Sequence, residues 1–246
     1  MTRSVFAVIG VAIYLIFFTT FLYLIAFVGD IPPAPRTVDT GPSGPVAIAA
    51  IINLALIALF GIQHSVMARP AFKARWTRLV PPALERSVYV LSASLILIVL
   101  FLFWRPIPHI VWTVDNPVGR AVLWVLFLLG WAIVLLSTFL INHFELFGLK
   151  QVWFNLTGRS DVAPRFRTPF FYQLVRHPLY SGFILAFWAV PEMTLGHLEL
   201  AIGMTVYILI AIIYEERDLI AAFGDDYRRY RAKTGMLLPG IGRSKT

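Results

Sequence analysis

Long apolar runs separated by short polar stretches dominate the chain. Four of these runs approach or reach the roughly 20 residues that a helix needs to cross about 30 Å of hydrocarbon. They are 4–28, 46–62, 87–104 and 118–141. A further apolar stretch, 179–214, is interrupted by Pro191 and by residues 194–197, which predicts a helical hairpin. The pattern predicts an all-α integral membrane protein, a helical bundle of about five to six transmembrane segments that ends in this hairpin and a cytoplasmic amphipathic helix.

The composition supports a membrane protein. Of the 246 residues, 59% are hydrophobic and only 14% are charged, whereas a soluble domain carries roughly 25% charged residues. The first run is longer than the about 7 to 15 apolar residues of a secretory signal and no A-x-A site follows it, so we predict a true span. Cysteine is absent, which excludes disulfides, a thiolate nucleophile and a thiolate metal site. We predict no metal site.

The net charge of +8 is distributed over particular loops and forms no single basic stripe, which argues against a nucleic-acid partner. Under the positive-inside rule, the basic connections 63–86 and 142–178 and the basic tail are cytoplasmic. The connections 29–45 and 105–117 carry few basic residues and are predicted to lie outside. An even number of crossings must join the second cytoplasmic connection to the tail, and the hairpin supplies two. This predicts six segments with both termini inside, the last two short enough to be tilted or partly re-entrant.

The tail has the spacing of a helix with one apolar face. Leu219, Phe223, Tyr227 and Tyr230 follow one another at i, i+4, i+8 and i+11. We predict one amphipathic helix over 215–230, packed against the membrane domain or against the bilayer surface.

Unusual polar residues gather at the predicted cytoplasmic ends of four segments. They are Gln63, His64, Ser65, Asn142, His143, Glu145, Arg176, His177, Glu215 and Glu216. Ionisable groups at membrane depth are costly and tend to face a cavity or one another, so their convergence predicts a site. The alternative is that each is an ordinary interfacial residue, because polar groups are common at helix ends.

The adjacent pair Glu215 and Glu216 is the most informative of these clusters. Two carboxylates at the end of an apolar helix repel each other and gain nothing from the negative helix C-terminus. We therefore predict a positive group nearby. It is either a structural partner such as Arg176 or Arg217, or a ligand with an amine and ribose hydroxyls. We expect Glu216 to have no packing role at this helix end.

Two linked motifs over residues 170–235 resemble a known superfamily. The pattern R-H-P-x-Y-x-G, a short apolar hairpin and E-E-x-x-L-x-x-x-F-G-x-x-Y-x-x-Y resembles the isoprenylcysteine carboxyl methyltransferases and phospholipid methyltransferases, membrane enzymes that use S-adenosylmethionine. The matching residues are Arg176, His177, Pro178, Tyr180, Gly182, Glu215, Glu216, Leu219, Phe223, Gly224, Tyr227 and Tyr230. One departure is Phe170, where relatives often have glycine, although Tyr172 is retained.

The upstream half looks like a narrower branch. The stretches GIQHSVMARPAFK, PPALERSVYVLSASL, WRPIP and NHFELFGLKQVW look like the membrane-bound methanethiol S-methyltransferases, which make dimethyl sulfide. The resemblance implies one methyltransferase domain over 1–246, with substrate-side helices in 1–145 and a cofactor-binding hairpin and C-terminal helix in 170–235. It implies methyl transfer from S-adenosylmethionine to a small thiol, foremost methanethiol, in a bacterial inner membrane with the active site facing the cytoplasm.

The same resemblance assigns roles around the cofactor. The residues implied to bind it are Gln173, Val175, Arg176, His177, Pro178, Tyr180, Gly182, Glu215, Glu216 and Tyr227. Arg176 and His177 would meet its carboxylate or orient the loop, the two glutamates its amine or ribose, and the two tyrosines its flanks. Backbone groups of residues 173–175 would read the adenine edge. Pro178 suits the first turn of a helix, and Gly182 permits close helix approach. No G-x-G-x-x-G follows a strand, which excludes a Rossmann-type site.

Thiols react mainly as thiolates, so a base or a cationic stabiliser near the acceptor would help. His143 and His64 are the candidates, with Asn142 and Gln63 as positioning groups. Each histidine is alternatively a structural residue with a satisfied hydrogen bond. A small apolar thiol needs only a pocket lined by phenylalanine and tryptophan.

Three other functions remain open from the sequence. One is methyl transfer to a prenylcysteine carboxylate or a phospholipid amine. Another is a non-enzymatic membrane protein of the type associated with nitrogen-oxide respiration, which intact cofactor motifs argue against. A transporter is disfavoured because the polar groups gather at one face and not at the midplane. The expected partners are the small thiol and the lipid bilayer, and the sequence leaves the oligomeric state open.

Overall fold

A computed structural model of the chain describes residues 2–160 and 166–243. Residues 161–165, in the predicted cytoplasmic connection, lie outside the described residues. The helices are α1 (Arg3–Val28), α2 (Val46–Ala68), α3 (Pro70–Trp76), α4 (Pro82–Phe103), α5 (Pro117–Ile141), α6 (His143–Leu146), α7 (Leu149–Thr157), α8 (Phe171–Leu174), α9 (Pro178–Trp188), α10 (Leu195–Phe223) and α11 (Asp225–Lys233). Two short strands, β1 (Ile110–Thr113) and β2 (Glu192–Thr194), form a two-stranded sheet.

Five helices of the described chain are long and apolar enough to cross a membrane. They are α1, α2, α4, α5 and α10, with 22 to 29 residues each. The predicted all-α membrane fold is confirmed. Three of the five, α2, α4 and α5, begin at a proline or directly after one. Proline has no backbone N–H, and the first turn of a helix has no intrahelical acceptor for one, so proline is well suited to this position.

The hairpin has two unequal arms. Its first arm, α9, has 11 residues and is about 16 Å long, well short of the hydrocarbon core. Its second arm, α10, begins at Leu195, so Gly196 and His197 lie inside the helix and not in the break between the arms. The six-segment topology stays a prediction.

The tail is not one helix, and the prediction of a single helix over 215–230 is wrong. Helix α10 ends at Phe223, and Gly224 adopts φ 55 before α11 begins at Asp225. This backbone conformation lies outside the range that right-handed helices allow and favours glycine. Glu215 and Glu216 therefore lie inside α10, about two turns before its end.

The described residues form two compact units. The first comprises those within Met1–Trp112, Asn142–Val162 and Met193–Leu200. Here α1, α2, α4 and α7 pack together, and a Cβ at Gly148 would lie 2.5 Å from Ser87 Oγ. The prediction of a single domain stays a prediction.

The second unit comprises the described residues within Thr113–Ile141, Ala163–Glu192 and Ala201–Thr246. Its tightest packing is between α5 and α9, where two glycines face each other. A Cβ at Gly130 would lie 2.7 Å from the backbone oxygen of Gly182. Small residues allow helix backbones to approach closely in membranes. The structure thus agrees with the close helix approach predicted at Gly182.

Candidate active site

A short loop, residues 175–177, leads into α9 and carries the first predicted motif. The helical turn α8 begins after Phe170, whose backbone has φ 31 and ψ −94. A positive φ of this kind is costly for a bulky residue and favours glycine. The departure noted in the sequence therefore places a phenylalanine at a strained position. Pro178 is the first residue of α9, as predicted.

Four of the predicted cofactor residues meet in what we call the ion cluster: Arg176, His177, Glu215 and Glu216. Glu216 Oε1 lies 2.7 Å from Arg176 Nε and 3.1 Å from His177 Nε2. His177 Nδ1 lies 3.9 Å from Glu215 Oε2. Arg231 Nε lies 3.6 Å from Glu216 Oε2. The structure thus places positive partners beside the acidic pair, as predicted.

The two glutamates occupy different environments. The side chain of Glu216 is 11% exposed and that of Glu215 is 43% exposed. The expectation that Glu216 has no packing role is wrong, because its carboxylate neutralises the buried guanidinium of Arg176. Removing one partner of a buried ion pair leaves an uncompensated charge. Glu216 is therefore part of the structural framework, and Glu215 is the more accessible acid.

Arg176 is buried and its guanidinium is engaged by the protein itself. Its Nη1 donates to the backbone oxygens of Thr234 at 2.5 Å and Arg231 at 3.2 Å. Nη1 and Nη2 donate to Gly242 O at 3.2 and 3.1 Å. With Glu216 on Nε, all three nitrogens have acceptors. This geometry favours a positioning role for Arg176 over direct contact with a cofactor carboxylate.

Some of the buried side-chain polar atoms in this unit have no hydrogen-bond partner among the residues that the structure describes, and two of them belong to the predicted cofactor residues. They are Glu215 Oε2 and the hydroxyl of Tyr227. Such atoms are rare in folded proteins, and each normally finds a partner in the protein, in water or in a ligand. A carboxylate oxygen accepts, and a phenol both donates and accepts. The pair fits a ligand that presents N–H and O–H donors, such as an ammonium group and ribose hydroxyls.

An aromatic cluster surrounds Tyr227. The ring of Phe166 lies 5.5 Å from that of Phe223, 5.9 Å from Tyr227 and 5.4 Å from Tyr230, measured between centroids. Aromatic faces attract cations, sulfonium groups included, and also stack on planar rings. Sequence reasoning missed Phe166, because it lies in a connection without periodicity and no local pattern marks it.

The hydroxyls of Tyr172, Tyr227 and Tyr230 remain protonated at neutral pH, because the pKa of each is raised. Burial, followed by the negative charge of Glu215, raises the pKa of Tyr172. Burial and the charges of both glutamates raise the pKa of Tyr227. Burial raises the pKa of Tyr230 to about 12, despite the opposing charge of Arg176. Tyr230 donates its hydroxyl hydrogen to the backbone oxygen of Tyr172, which ties α11 to α8.

The other predicted cofactor residues before the hairpin break lie on this loop or on α8 and α9, which flank it. The ring of Tyr180 stacks on that of His177 with centroids 5.7 Å apart. The N–H groups of Gln173 and Val175 already donate to carbonyls three and four residues earlier, at 2.9 and 3.1 Å. An adenine contact from this turn would therefore fall to its other backbone groups, and that contact stays a prediction.

The candidate catalytic residues belong to the first unit. His143 is buried, and its Nε2 lies 2.8 Å from the hydroxyl of Tyr14, a residue that sequence reasoning missed. Burial lowers the pKa of His143, so its imidazole is neutral near pH 7. Asn142 caps the turn: its Oδ1 accepts from the N–H of Glu145 at 3.3 Å, and its Nδ2 donates to the Glu145 carboxylate at 2.8 Å. This favours a positioning role for Asn142.

His64 lies on α2, one turn before its end. Its ring packs on those of Phe60 and Tyr89, with centroids 5.2 and 5.0 Å away. The backbone oxygen of His64 accepts from the Tyr89 hydroxyl at 3.3 Å. Gln63 donates to the sulfur of Met67 at 3.0 Å. These contacts fit the structural interpretation of His64 as well as the catalytic one. The prediction that this group and the ion cluster serve one pocket stays a prediction.

Comparison with known proteins identifies the family. The sequence is 53% identical over 239 residues to the methanethiol S-methyltransferase of Mycobacterium tuberculosis, covering 97% of this chain and 98% of that protein. It is 46% identical over 243 residues to the methanethiol S-methyltransferase of Crocosphaera subtropica, covering 99% and 95%. Nurim of Xenopus laevis is 35% identical over 167 residues, 64% of this chain and 58% of its own. No family model and no solved structure matches. Identity at this level over nearly the full length of both chains means that the protein belongs to the family of the methanethiol S-methyltransferases.

Proposed function

We propose that this protein transfers a methyl group from S-adenosylmethionine to the sulfur of methanethiol, giving dimethyl sulfide. The family supports the reaction and the acceptor. The observation that carries the choice of donor is a pair of buried polar atoms, Glu215 Oε2 and Tyr227 OH, for which the described part of the chain offers no hydrogen-bond partner. They lie in the unit with the ion cluster and the aromatic cluster.

The residues of this unit match the groups of the donor. Glu215 accepts hydrogen bonds from the ammonium group or from the ribose hydroxyls, and Tyr227 completes the polar wall. Phe166 and Tyr230 offer aromatic faces to the cationic or the planar part of the ligand. When bound, S-adenosylmethionine supplies a methyl group on a positively charged sulfonium. The protein's own contribution is to hold the donor in line with the acceptor, and positioning of this kind accounts for much of the rate in displacement reactions.

Methanethiol is largely protonated at neutral pH, so its proton has to leave as the new carbon–sulfur bond forms. We propose that His143 takes this proton. A neutral imidazole carries a proton on one nitrogen and a basic electron pair on the other, and the hydrogen bond with Tyr14 fixes the orientation of the ring. Aromatic rings surround it, since Phe147 lies 4.8 Å from His143 and 3.9 Å from Phe17 between centroids. A small apolar thiol partitions readily into such surroundings.

The protein is an integral membrane protein with five apolar helices of spanning length in the described residues. We propose that both termini and the ion cluster face the cytoplasm, where the donor is available. The basic connections and tail support this orientation under the positive-inside rule.

Product analysis tests the proposed function. Purified protein in detergent is incubated with S-adenosylmethionine and, in parallel, with methanethiol, a prenylcysteine analogue and a phospholipid. S-adenosylhomocysteine and dimethyl sulfide should form together, and only with methanethiol. Release of S-adenosylhomocysteine only with the prenylcysteine analogue or only with the phospholipid would reassign the substrate. No release with any of the three acceptors would refute the proposed enzymatic activity.

Glu215→Gln is expected to weaken donor binding at least about tenfold, because it removes a charged acceptor whose Oε2 has no hydrogen-bond partner among the described residues. The thermal unfolding midpoint should stay within about 2 °C of wild type, since the side chain is partly exposed and only distantly paired. Calorimetric titration with S-adenosylmethionine measures the affinity. The exposed residue on β2 supplies a matched control, Glu192→Gln, which should bind as wild type does. Unchanged binding by Glu215→Gln would remove Glu215 from the site.

His143→Ala is expected to lower kcat about a hundredfold while donor affinity changes less than about twofold. Tyr14→Phe should lower kcat about tenfold, because the imidazole loses its orienting hydrogen bond. Steady-state kinetics and calorimetry separate the two effects, and the exposed His109→Ala is the control. Equal losses of kcat and donor affinity in His143→Ala would place His143 outside the chemistry.

A further inference from the structure

The chain after α11 turns back onto the loop that begins α9. We call this segment, residues 234–243, the C-terminal strap. Gly235 pairs with Val175 in a parallel bridge. The backbone N–H of Arg176 donates to Gly235 O at 2.8 Å, and that of His177 donates to Met236 O at 3.1 Å. The two residues of the ion cluster that precede α9 are therefore bound through their backbones to the strap.

Side chains strengthen the same attachment. The buried guanidinium of Arg176 donates to the backbone oxygens of Thr234 and Gly242, at the two ends of the strap. The hydroxyl of Ser181, on the first turn of α9, donates to Leu237 O at 2.7 Å. The carbonyls of the strap carry no net charge, so the charge that balances the Arg176 guanidinium comes from Glu216. The strap supplies geometry and Glu216 supplies the counter-charge.

The strap holds its own shape through glycine. The N–H of Met236 donates to Ile241 O at 2.7 Å, which closes the segment into a loop. A Cβ on Gly235 would lie 2.1 Å from Leu238 O and 2.7 Å from Gly240 N, both of them backbone atoms. Gly240 adopts φ 78, a conformation that side chains disfavour. A single methyl group at residue 235 is thus incompatible with the closed loop.

We propose that the C-terminal strap is a positioning element of the methyl-donor site, which rests on the proposed function. Its carbonyls hold the backbone of Arg176 and His177 in place, and the side chains of these two residues in turn hold the Glu216 carboxylate. His177 also lies beside Glu215, the acid that we assign to the donor. We assign the strap no direct contact with the methyl donor, and it acts through the loop of residues 175–177. Disrupting the closed loop of the strap should therefore lower the affinity for the methyl donor and leave the KM for the thiol unchanged.

Gly235→Ala tests the proposal in the full-length protein. The dissociation constant for S-adenosylmethionine, and for S-adenosylhomocysteine as a non-reacting probe, should rise at least about tenfold. The KM for methanethiol should change less than about twofold, because the first unit is unaltered. Gly44→Ala is the matched control: a Cβ on Gly44 meets nothing within 4 Å. It should behave as wild type.

Amide hydrogen exchange gives a second measurement that is independent of activity. In Gly235→Ala the amides of Arg176 and His177 should exchange faster than in wild type, whereas amides in the middle of α5 should not. Unchanged donor affinity together with faster exchange would overturn the positioning role. So would equal losses of donor affinity and thiol KM, which indicate general damage.

Ser181→Ala removes one hydrogen bond to the strap without adding volume, so it is the variant to use if Gly235→Ala does not fold. It should weaken donor binding about threefold to tenfold, and donor binding equal to wild type would count against the strap. A wild-type protein that releases no S-adenosylhomocysteine would refute the proposed function. If instead the wild type is active and Gly235→Ala binds the donor equally well, the strap proposal fails and the proposed function stands.

Discussion

Glu216→Ala is expected to destabilise the protein by about 3–5 kcal/mol, the usual cost of removing one partner of a buried ion pair. The guanidinium of Arg176 would stay buried with only backbone carbonyls to face it, and His177 would lose its acceptor at 3.1 Å. Donor binding should fall below detection, because the loop before α9 loses its anchor. Thermal unfolding in detergent and calorimetric titration measure the two effects.

The comparison with the neighbouring acid makes this prediction specific. Glu216→Ala should lose stability and binding together, whereas Glu215→Gln should lose binding alone. Glu216→Gln keeps the shape of the side chain and one acceptor, so it should fall between wild type and Glu216→Ala in stability. Glu192→Ala is the exposed control and should unfold as wild type does. A Glu216→Ala protein with a wild-type unfolding midpoint would show that Arg176 needs no counter-charge.

The different roles of Glu215 and Glu216 could not be predicted from the sequence. Hydrophobic run length and the double motif predict the membrane helices, the pairing of acids with basic residues and the family. They treat Glu215 and Glu216 as equivalent, because adjacent residues of the same type have the same local pattern. Which one faces the arginine depends on the rotation of α10. The extension of that helix to Phe223 was not predicted either, since the break falls at a single glycine whose backbone is φ 55.

Contacts between distant parts of the chain account for the other unpredicted features. Tyr14 and His143 are far apart in sequence and belong to different helices, so no spacing rule connects them. The strap is rich in glycine and follows the last helix, a pattern that predicts a loop but not where the loop docks. The hydrogen bonds from Arg176 to the carbonyls of Thr234 and Gly242 fix where it docks, and these contacts join positions far apart in sequence. Sequence patterns locate candidate groups, and the hydrogen-bond partners distinguish framework from ligand contact.

Gly182→Ala is expected to have the second large effect, through helix packing and not through charge. The added Cβ would lie 2.6 Å from Gly130 O and 2.9 Å from Val134 N. Both are backbone atoms inside α5, so no side chain can move aside, and α9 has to shift away from α5. Overpacking of this kind costs about 1–3 kcal/mol. Because His177 directly precedes α9, the shift should also weaken donor binding at least about tenfold.

A graded series separates packing from other causes. Gly182→Val should be worse than Gly182→Ala in both unfolding midpoint and donor affinity, because its branches reach further into α5. Gly130→Ala, on the opposite side of the same contact, should resemble Gly182→Ala, since its Cβ would lie 2.7 Å from Ala186 N. Gly44→Ala again serves as the control. If Gly182→Ala and Gly130→Ala both kept wild-type stability and binding, the close crossing of α5 and α9 would not be what holds the donor loop in place.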